Sequence, residues 1–347
     1  ATYLKYHMNY ILLSLSFIPI ILIFNSFVAK NKFLLNYHGE IHQKFTSNTN
    51  IPLTGGIYIF LFSLFFFQTQ NPLFAYFLIL FLILGIFADK KIIESPKIRF
   101  VFQLLIVVFF IINFNLDIDD IKIDFFNNLL KNSFFKYFFI ISCFLILING
   151  TNFIDGCNTL VIGYYLNIAL IGLYSQIFLN IGISDDLTIS LIVFLLIIFF
   201  FNFFNKLYLG DNGSYLISMI FGFLLVSIYQ NDRFISPYFI VLLFWYPAFE
   251  TLFSIIRKLL HKISPLEPDT NHLHQLIFLF LKKKYSKNIY NNSLTAVMIN
   301  LYNLCIFFIS AQNISNSKFQ ILLIILNISI YMILYLNLLK NSLIQKY

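Results

Sequence analysis

Eleven apolar runs, each near the roughly 20 residues that a helix needs to cross a hydrocarbon core, divide this 347-residue chain from end to end. They fall at about 9–29, 51–67, 72–88, 100–116, 134–149, 158–178, 187–204, 213–229, 235–256, 293–311 and 319–338, separated by polar breaks. Backbone polar groups within lipid must be satisfied inside the segment, so runs of this length are read as helices. The expected fold class is an all-α polytopic integral membrane protein with about 11 transmembrane helices. No hydrophilic stretch is long enough for a second domain, so residues 1–347 are expected to form one polytopic domain. The first run lacks a small-residue cleavage site and is expected to be a span rather than a signal.

Composition points the same way. Charged residues make up 11% of the chain and hydrophobic residues 59%, whereas a soluble domain carries about 25% charged residues. A soluble globular enzyme is excluded. The net charge of +8 is assigned to the flanks of spans and not to nucleic acid, because basic residues beside apolar runs set membrane orientation. One set of alternate loops holds 17 of the 23 Lys and Arg residues. That set is therefore expected to be cytoplasmic, with the N-terminus outside and the C-terminus in the cytoplasm. Asp117, Asp119, Asp120, Asp124, Asp185, Asp186 and Asp232 fall on the opposite face and read as solvated loop residues. Cys143, Cys157 and Cys305 lack metal-ligand spacing and read as packing residues.

The remaining acids lie in inner loops or at the inner ends of spans, and three of them, Asp89, Asp155 and Asp211, sit directly at span ends. A carboxylate at a membrane boundary needs compensation, which a shared divalent cation would supply. Gly85–Lys91 closes the third run with Asp89; alone, it reads rather as a basic juxtamembrane flank. In Asn149–Gly156, the residues Asn149, Asn152 and Asp155 are three apart and share one side of a helix, so two amides and a carboxylate can converge on a polar ligand. Gly156 permits close backbone approach. Tyr208–Ser214 puts Asp211 and exposed amides at a helix start, a site suited to phosphate and its metal; alone, it reads equally as an N-cap. The fourth segment runs from Arg257 through Pro265, Pro268 and Asp269 to His272 and His274. Residues two apart diverge on a helix, so both imidazoles reach one site only from extended backbone or a helix end. A zinc pair is set aside because no third ligand is suitably spaced.

These segments, in this order, resemble the polyprenyl-phosphate N-acetylhexosamine-1-phosphate transferases, the MraY-like and WecA-like enzymes of glycosyltransferase family 4. The resemblance runs from about His42 to His274. It includes His42–Phe45 and Pro52–Gly56, which are similar to the family's first cytoplasmic loop and glycine pair. It implies transfer of a sugar-1-phosphate from a UDP-N-acetylhexosamine to polyprenyl phosphate with release of UMP, a requirement for Mg2+ or Mn2+, and an active site on cytoplasmic loops of a bacterial inner membrane protein. It assigns Asp89, Asp155, Asp211, His272 and His274 to catalysis, with Asp211 as the metal ligand. Lys44, Asn149, Asn152, Gly156, Asn158, Tyr208 and Arg257 are assigned to substrate binding, Tyr208 by stacking on uracil. Membrane lipid is an expected partner, nucleic acid is not, and a homodimer is admitted.

The chain departs from the pattern at Ala88, where the family has the first Asp of a pair. A phosphate monoester has a second pKa near 6, so the lipid phosphate is already largely dianionic at neutral pH. Asp89 is then expected to support metal or substrate instead of abstracting a proton. Ala88 and the His-Leu-His spacing favour the WecA-like branch, which starts cell-envelope glycans such as O-antigen on the lipid carrier. A transporter and a catalytically impaired relative that binds lipid carrier are the alternatives. The first finds little support, since charges cluster at boundaries and no inverted repeat stands out.

Overall fold

A computed structural model describes residues 2–35, 51–67, 72–265, 271–285 and 290–343, with side chains from 10 to 340. Fourteen helices account for most of these residues: α1 (Thr2–Lys30), α2 (Gly55–Phe66), α3 (Pro72–Asp89), α4 (Pro96–Asn113), α5 (Asp124–Leu130), α6 (Ser133–Ile154), α7 (Leu160–Tyr174), α8 (Asp185–Phe203), α9 (Gly210–Asn231), α10 (Pro237–Leu243), α11 (Trp245–Leu260), α12 (Leu273–Lys284), α13 (Asn291–Ala311) and α14 (Ser317–Leu343). Among the described residues β structure is limited to an isolated bridge between Leu35 and Pro52.

Each of the eleven apolar runs holds a helix, which bears out the all-α polytopic class. Among the described residues, eight helices are long and apolar enough to cross a membrane, or nine if α10 and α11 form one broken span. The helices α2 and α7, with 12 and 15 residues, are apolar but shorter. Two helices lie in stretches read as loops, α5 and α12.

Local chemistry explains the breaks. Pro237, preceded by the N-cap Ser236, begins α10, and Pro247 sits in the first turn of α11. In a continuous helix the Pro247 nitrogen would have to donate to Leu243, and it has no hydrogen to give. The two helices accordingly meet at a 75° bend, and the Leu243 carbonyl accepts from the Tyr164 hydroxyl at 2.9 Å instead. Ser184 caps α8, and Asp185 and Asp186 place negative charge in its first turn, where the helix dipole favours it.

The centre of the bundle is α9, whose apolar stretch is 94% buried, whereas among the described residues no other long apolar helix exceeds 50%. It packs against α2, α3 and α6. Phenylalanine does much of the joining. Phe74 of α3, Phe110 of α4, Phe114 at the end of α4 and Phe223 of α9 form a cluster with ring centroids 4.7–5.9 Å apart. Phe62 of α2 stacks on Phe194 of α8 at 4.2 Å. These contacts hold α9 in the bundle toward its far end, while its start is joined to the ends of α3 and α6 by Asp89 and Asn152, and that junction builds the site.

Candidate active site

Gly210 opens α9 with φ +70°, a conformation that a side chain rarely tolerates. The chain can then turn so that the next two amides point at one carboxylate. Asp211 N donates to Asp89 Oδ1 at 2.9 Å and Asn212 N to Asp89 Oδ2 at 3.1 Å. The Asn212 side-chain amide donates to the same Oδ2 and to the Leu53 carbonyl at 3.0 Å. Asp89 thus caps α9 from the end of another helix, with its charge on the positive end of the dipole. The amides expected to lie open for phosphate at this helix start are occupied by Asp89, which corrects that expectation. A Cβ on Gly85 would lie 2.2 Å from Asn212 Cα, so glycine is required where α3 and α9 touch.

With its backbone held, Asp211 presents its carboxylate to α4 and α6. Arg99 Nη1 donates to Oδ2 at 2.7 Å, and the Tyr215 hydroxyl to the same oxygen at 3.2 Å. Asn152 Nδ2 donates to Oδ1 at 2.6 Å and also reaches Ser214 Oγ at 3.2 Å. Asp155 follows the last turn of α6, half-buried. Burial first, then the like charges of Asp211 and Asp89, hold its carboxyl well above the ordinary carboxylate range, while the Gly210 backbone amide pulls the other way. Three acids and one Arg from four helix ends therefore share a small region.

The histidine loop closes over this region from the far side of α6. His272 is the N-cap of α12, and its backbone N–H donates to Gln275 Oε1 at 3.2 Å. The rings of His272 and His274 stack 5.6 Å apart at 13°, and His272 lies 5.6 Å from Phe153. A Cβ on Gly156 would come within 2.6 Å of His274 Nε2, so His274 abuts the backbone just after Asp155. The two-residue spacing works as expected: His272 is in extended backbone and His274 in the first turn of α12. The buried Lys258 brings its ammonium to the Phe153 ring, 5.8 Å from the centroid, and donates to the Pro265 carbonyl.

Other expected site residues go elsewhere. Asn149 donates to Gln103 Oε1 at 3.0 Å and to the Leu145 carbonyl, tying α6 to α4, while Asn152 alone of the two amides reaches Asp211. The Tyr208 ring is packed with Leu34, Leu35, Ile51 and Leu53, and its hydroxyl donates to Asn205 Oδ1 at 3.0 Å. The ring is 7% exposed, so it presents little open surface for stacking. Asn158 Nδ2 donates to the same Asn205 oxygen at 2.6 Å, and its backbone N–H to Asn292 Oδ1 at 2.7 Å. Arg257 bonds the Asn271 carbonyl and the Tyr335 hydroxyl, bracing the histidine loop. Lys44 lies outside the described residues, as do His42 and Asp269.

Arg99 and Glu250 join the site from outside the expected residues. Arg99 is one of only three Arg in the chain, and Glu250 is the one acid within an apolar run; both were visible signals. Among the described residues, no three His, Cys, Asp or Glu side chains group closely enough to hold a metal by themselves. The oxygen donors still fit Mg2+ or Mn2+, which take one or two carboxylates and complete their shell with water and substrate phosphate. The crowding of Asp155 by two like charges is what a bound cation would relieve.

The glycosyl transferase family 4 model matches residues 71–229, which contain Asp89, Asn152, Asp155 and Asp211. The chain is 27% identical over 205 residues to the "Probable undecaprenyl-phosphate N-acetylglucosaminyl 1-phosphate transferase" of Bacillus subtilis, covering 57% of this chain and 56% of that protein. It is 28% identical over 227 residues to the "Undecaprenyl-phosphate alpha-N-acetylglucosaminyl 1-phosphate transferase" of Thermotoga maritima, covering 65% and 67%. The match thus spans little more than half the length of the Bacillus relative. The family resemblance read from the motifs is borne out.

Proposed function

We propose, on the premise that this chain belongs to the polyprenyl-phosphate sugar-1-phosphate transferases of glycosyl transferase family 4, that it transfers N-acetylhexosamine-1-phosphate from a UDP-sugar to undecaprenyl phosphate. The observation that carries this reading is the convergence of Asp89, Asn152, Asp155, Asp211 and Arg99 at one end of the bundle, with the histidine loop against Gly156.

In the reaction, an oxygen of the lipid phosphate attacks the sugar-bearing phosphorus of the UDP-sugar. A new P–O–P bond forms, the bond from that phosphorus to the bridging oxygen breaks, and UMP leaves with that oxygen. The nucleophile is already a dianion at neutral pH for most of the population, so Ala88 in place of an acid does not stop the step. What the protein must supply is position and positive charge.

Arg99 offers a fixed guanidinium beside Asp211, suited to the equatorial oxygens of the transferred phosphoryl group. His274 offers a ring N–H donor, while His272, whose Nδ1 faces Glu250, donates to phosphate from Nε2 only as an imidazolium. Asp211, with Asp155 as neighbour, would hold Mg2+ or Mn2+, which would supply positive charge against the diphosphate. Asn152 orients Asp211 through Oδ1, and Asp89 fixes the backbone on which Asp211 sits.

The site is assigned to the cytoplasmic face of a bacterial inner membrane, with the N-terminus outside. There a water-soluble nucleotide meets an anionic lipid headgroup, and the excess of Lys and Arg on that face attracts both. The product would start a lipid-linked cell-envelope glycan. The test is UMP release by purified protein supplied with UDP-N-acetylglucosamine or UDP-N-acetylgalactosamine. Release that requires both undecaprenyl phosphate and a divalent cation is the expected result. A wild-type protein that releases no UMP from either donor contradicts the reading.

A further inference from the structure

Glu250 is an acid in the interior of α11, 1% exposed, and no step of the transfer as described uses it. Its two oxygens are divided between two partners. Oε1 lies 2.9 Å from His272 Nδ1, and Oε2 accepts from the Tyr331 hydroxyl at 2.9 Å. A buried carboxylate is costly unless its lone pairs are met, so this pairing defines the position of all three groups. Tyr331 is itself fixed on α14, with Phe249 and Phe253 of α11 against its ring at 4.9 and 5.5 Å.

One turn further along α14, Tyr335 repeats the arrangement. It stacks on Tyr331 at 8°, packs on Phe253 at 4.8 Å and accepts from Arg257 Nη1 at 2.9 Å. Arg257 Nη1 also donates to the backbone carbonyl of Asn271, next to His272. Two tyrosines of the last helix therefore brace two residues of α11, and each of those two grips the start of the histidine loop.

We infer that Glu250, held by Tyr331, is a positioning residue that fixes the ring of His272 with Nδ1 as the hydrogen donor to the carboxylate and Nε2 directed away from it. This deepens the transferase reading and rests on it for its catalytic consequence. The chemistry follows from the two nitrogens being distinct: a neutral imidazole carries one proton, and the partner of one nitrogen decides which. A rival exists within the loop. The Gln275 backbone N–H completes a capping box with the His272 ring, and if it owned the Nδ1 lone pair the proton would sit on Nε2. An anionic oxygen at 2.9 Å favours the proton on Nδ1, because two lone pairs facing each other at that distance repel.

The experiment is 15N NMR of histidine-labelled protein in micelles, with the His272 signal identified by its loss in His272→Ala. The neutral ring of His272 should show the Nδ1–H tautomer in the wild type and lose that preference in Glu250→Gln. In the transfer assay, Glu250→Gln should lower kcat by about 10- to 100-fold with KM for the UDP-sugar changed by less than about 3-fold. Glu250→Asp, which keeps the charge, should recover part of the loss. Where Glu250→Gln does not fold, Tyr331→Phe keeps the ring and removes only the donor to Oε2, and kcat should fall by about 3- to 10-fold. An Nε2–H tautomer in the wild type overturns the inference, as does a Glu250→Gln protein with wild-type tautomer and kcat. The tautomer needs no turnover to be read, so it separates failure of this assignment from failure of the transferase reading.

Discussion

Arg99 Nη1 of α4 sits 2.7 Å from Asp211 Oδ2 of α9, so the carboxylate most suited to a metal is already matched to a fixed cation. The pair is about three-quarters buried, with side-chain exposures of 26% and 21%. It is therefore more than a surface ion pair, and it joins two helix ends at the point where phosphate oxygens would arrive. Arg99→Ala should lower sugar-phosphate transfer by at least about 10-fold, and Arg99→Lys should lie between, because an ammonium keeps the charge and loses the fork. Initial rates at saturating substrate check this, and an Arg99→Ala enzyme with the wild-type rate would show that the guanidinium only balances charge at rest.

Asp89 accepts from two backbone amides of α9 and one side-chain amide. Asp89→Ala should destabilise the fold by about 1–3 kcal/mol for each buried donor left without an acceptor, and Asp89→Asn by less. Thermal unfolding in micelles reads the difference. Loss of transfer by Asp89→Ala at unchanged stability would return Asp89 to a direct chemical role.

A methyl group at Gly85 would fall 2.2 Å from the Asn212 Cα, a contact that only movement of α3 against α9 can relieve. Gly85→Ala should cost about 2–3 kcal/mol, the upper part of the range for overpacking in tightly packed cores. Gly182 gives the contrast. Its φ is +76° but an added Cβ would meet no atom within 4 Å, so Gly182→Ala should cost about 1 kcal/mol from backbone conformation alone. Equal losses at the two positions would contradict the close packing of α3 on α9.

The ring of Tyr208 is enclosed by Leu34, Leu35, Ile51 and Leu53. Tyr208→Phe removes one hydrogen bond to Asn205 and leaves that packing intact, so KM for the UDP-sugar should change by less than about 2-fold. Tyr208→Ala should unfold at lower temperature. A large rise in KM with Tyr208→Phe would mean that the hydroxyl meets the nucleotide.

These residues also show what could be read from the chain and what could not. Apolar run length made the helices legible, because lipid leaves the backbone few alternatives. Spacing made Asp89, Asn152, Asp155, Asp211 and the two histidines legible as one polar face, and the structure brings them together. Local periodicity cannot say which of several equivalent polar residues turns inward. Asn149 and Asn152 differ by less than a helical turn, yet one bonds Gln103 of α4 and the other Asp211 of α9. The capping of α9 by Asp89 was hidden for the same reason: 122 residues separate donor and acceptor, and the contact depends on Gly85 letting two helices touch. The 75° break between α10 and α11 was readable in principle from Pro247, which withholds an N–H that a continuous helix would need.

The most direct test of the central claim compares the wild type with Asp211→Asn in one assay. Purified protein is given UDP-N-acetylglucosamine labelled in the sugar, undecaprenyl phosphate and a Mg2+ titration, and lipid-linked label is counted beside released UMP. The wild type should release UMP in step with labelled lipid, only with cation present, and Asp211→Asn should fall by at least about 100-fold, the scale expected when a metal-holding group is lost. Transfer by Asp211→Asn at the wild-type rate, with the same dependence on Mg2+, would contradict the account.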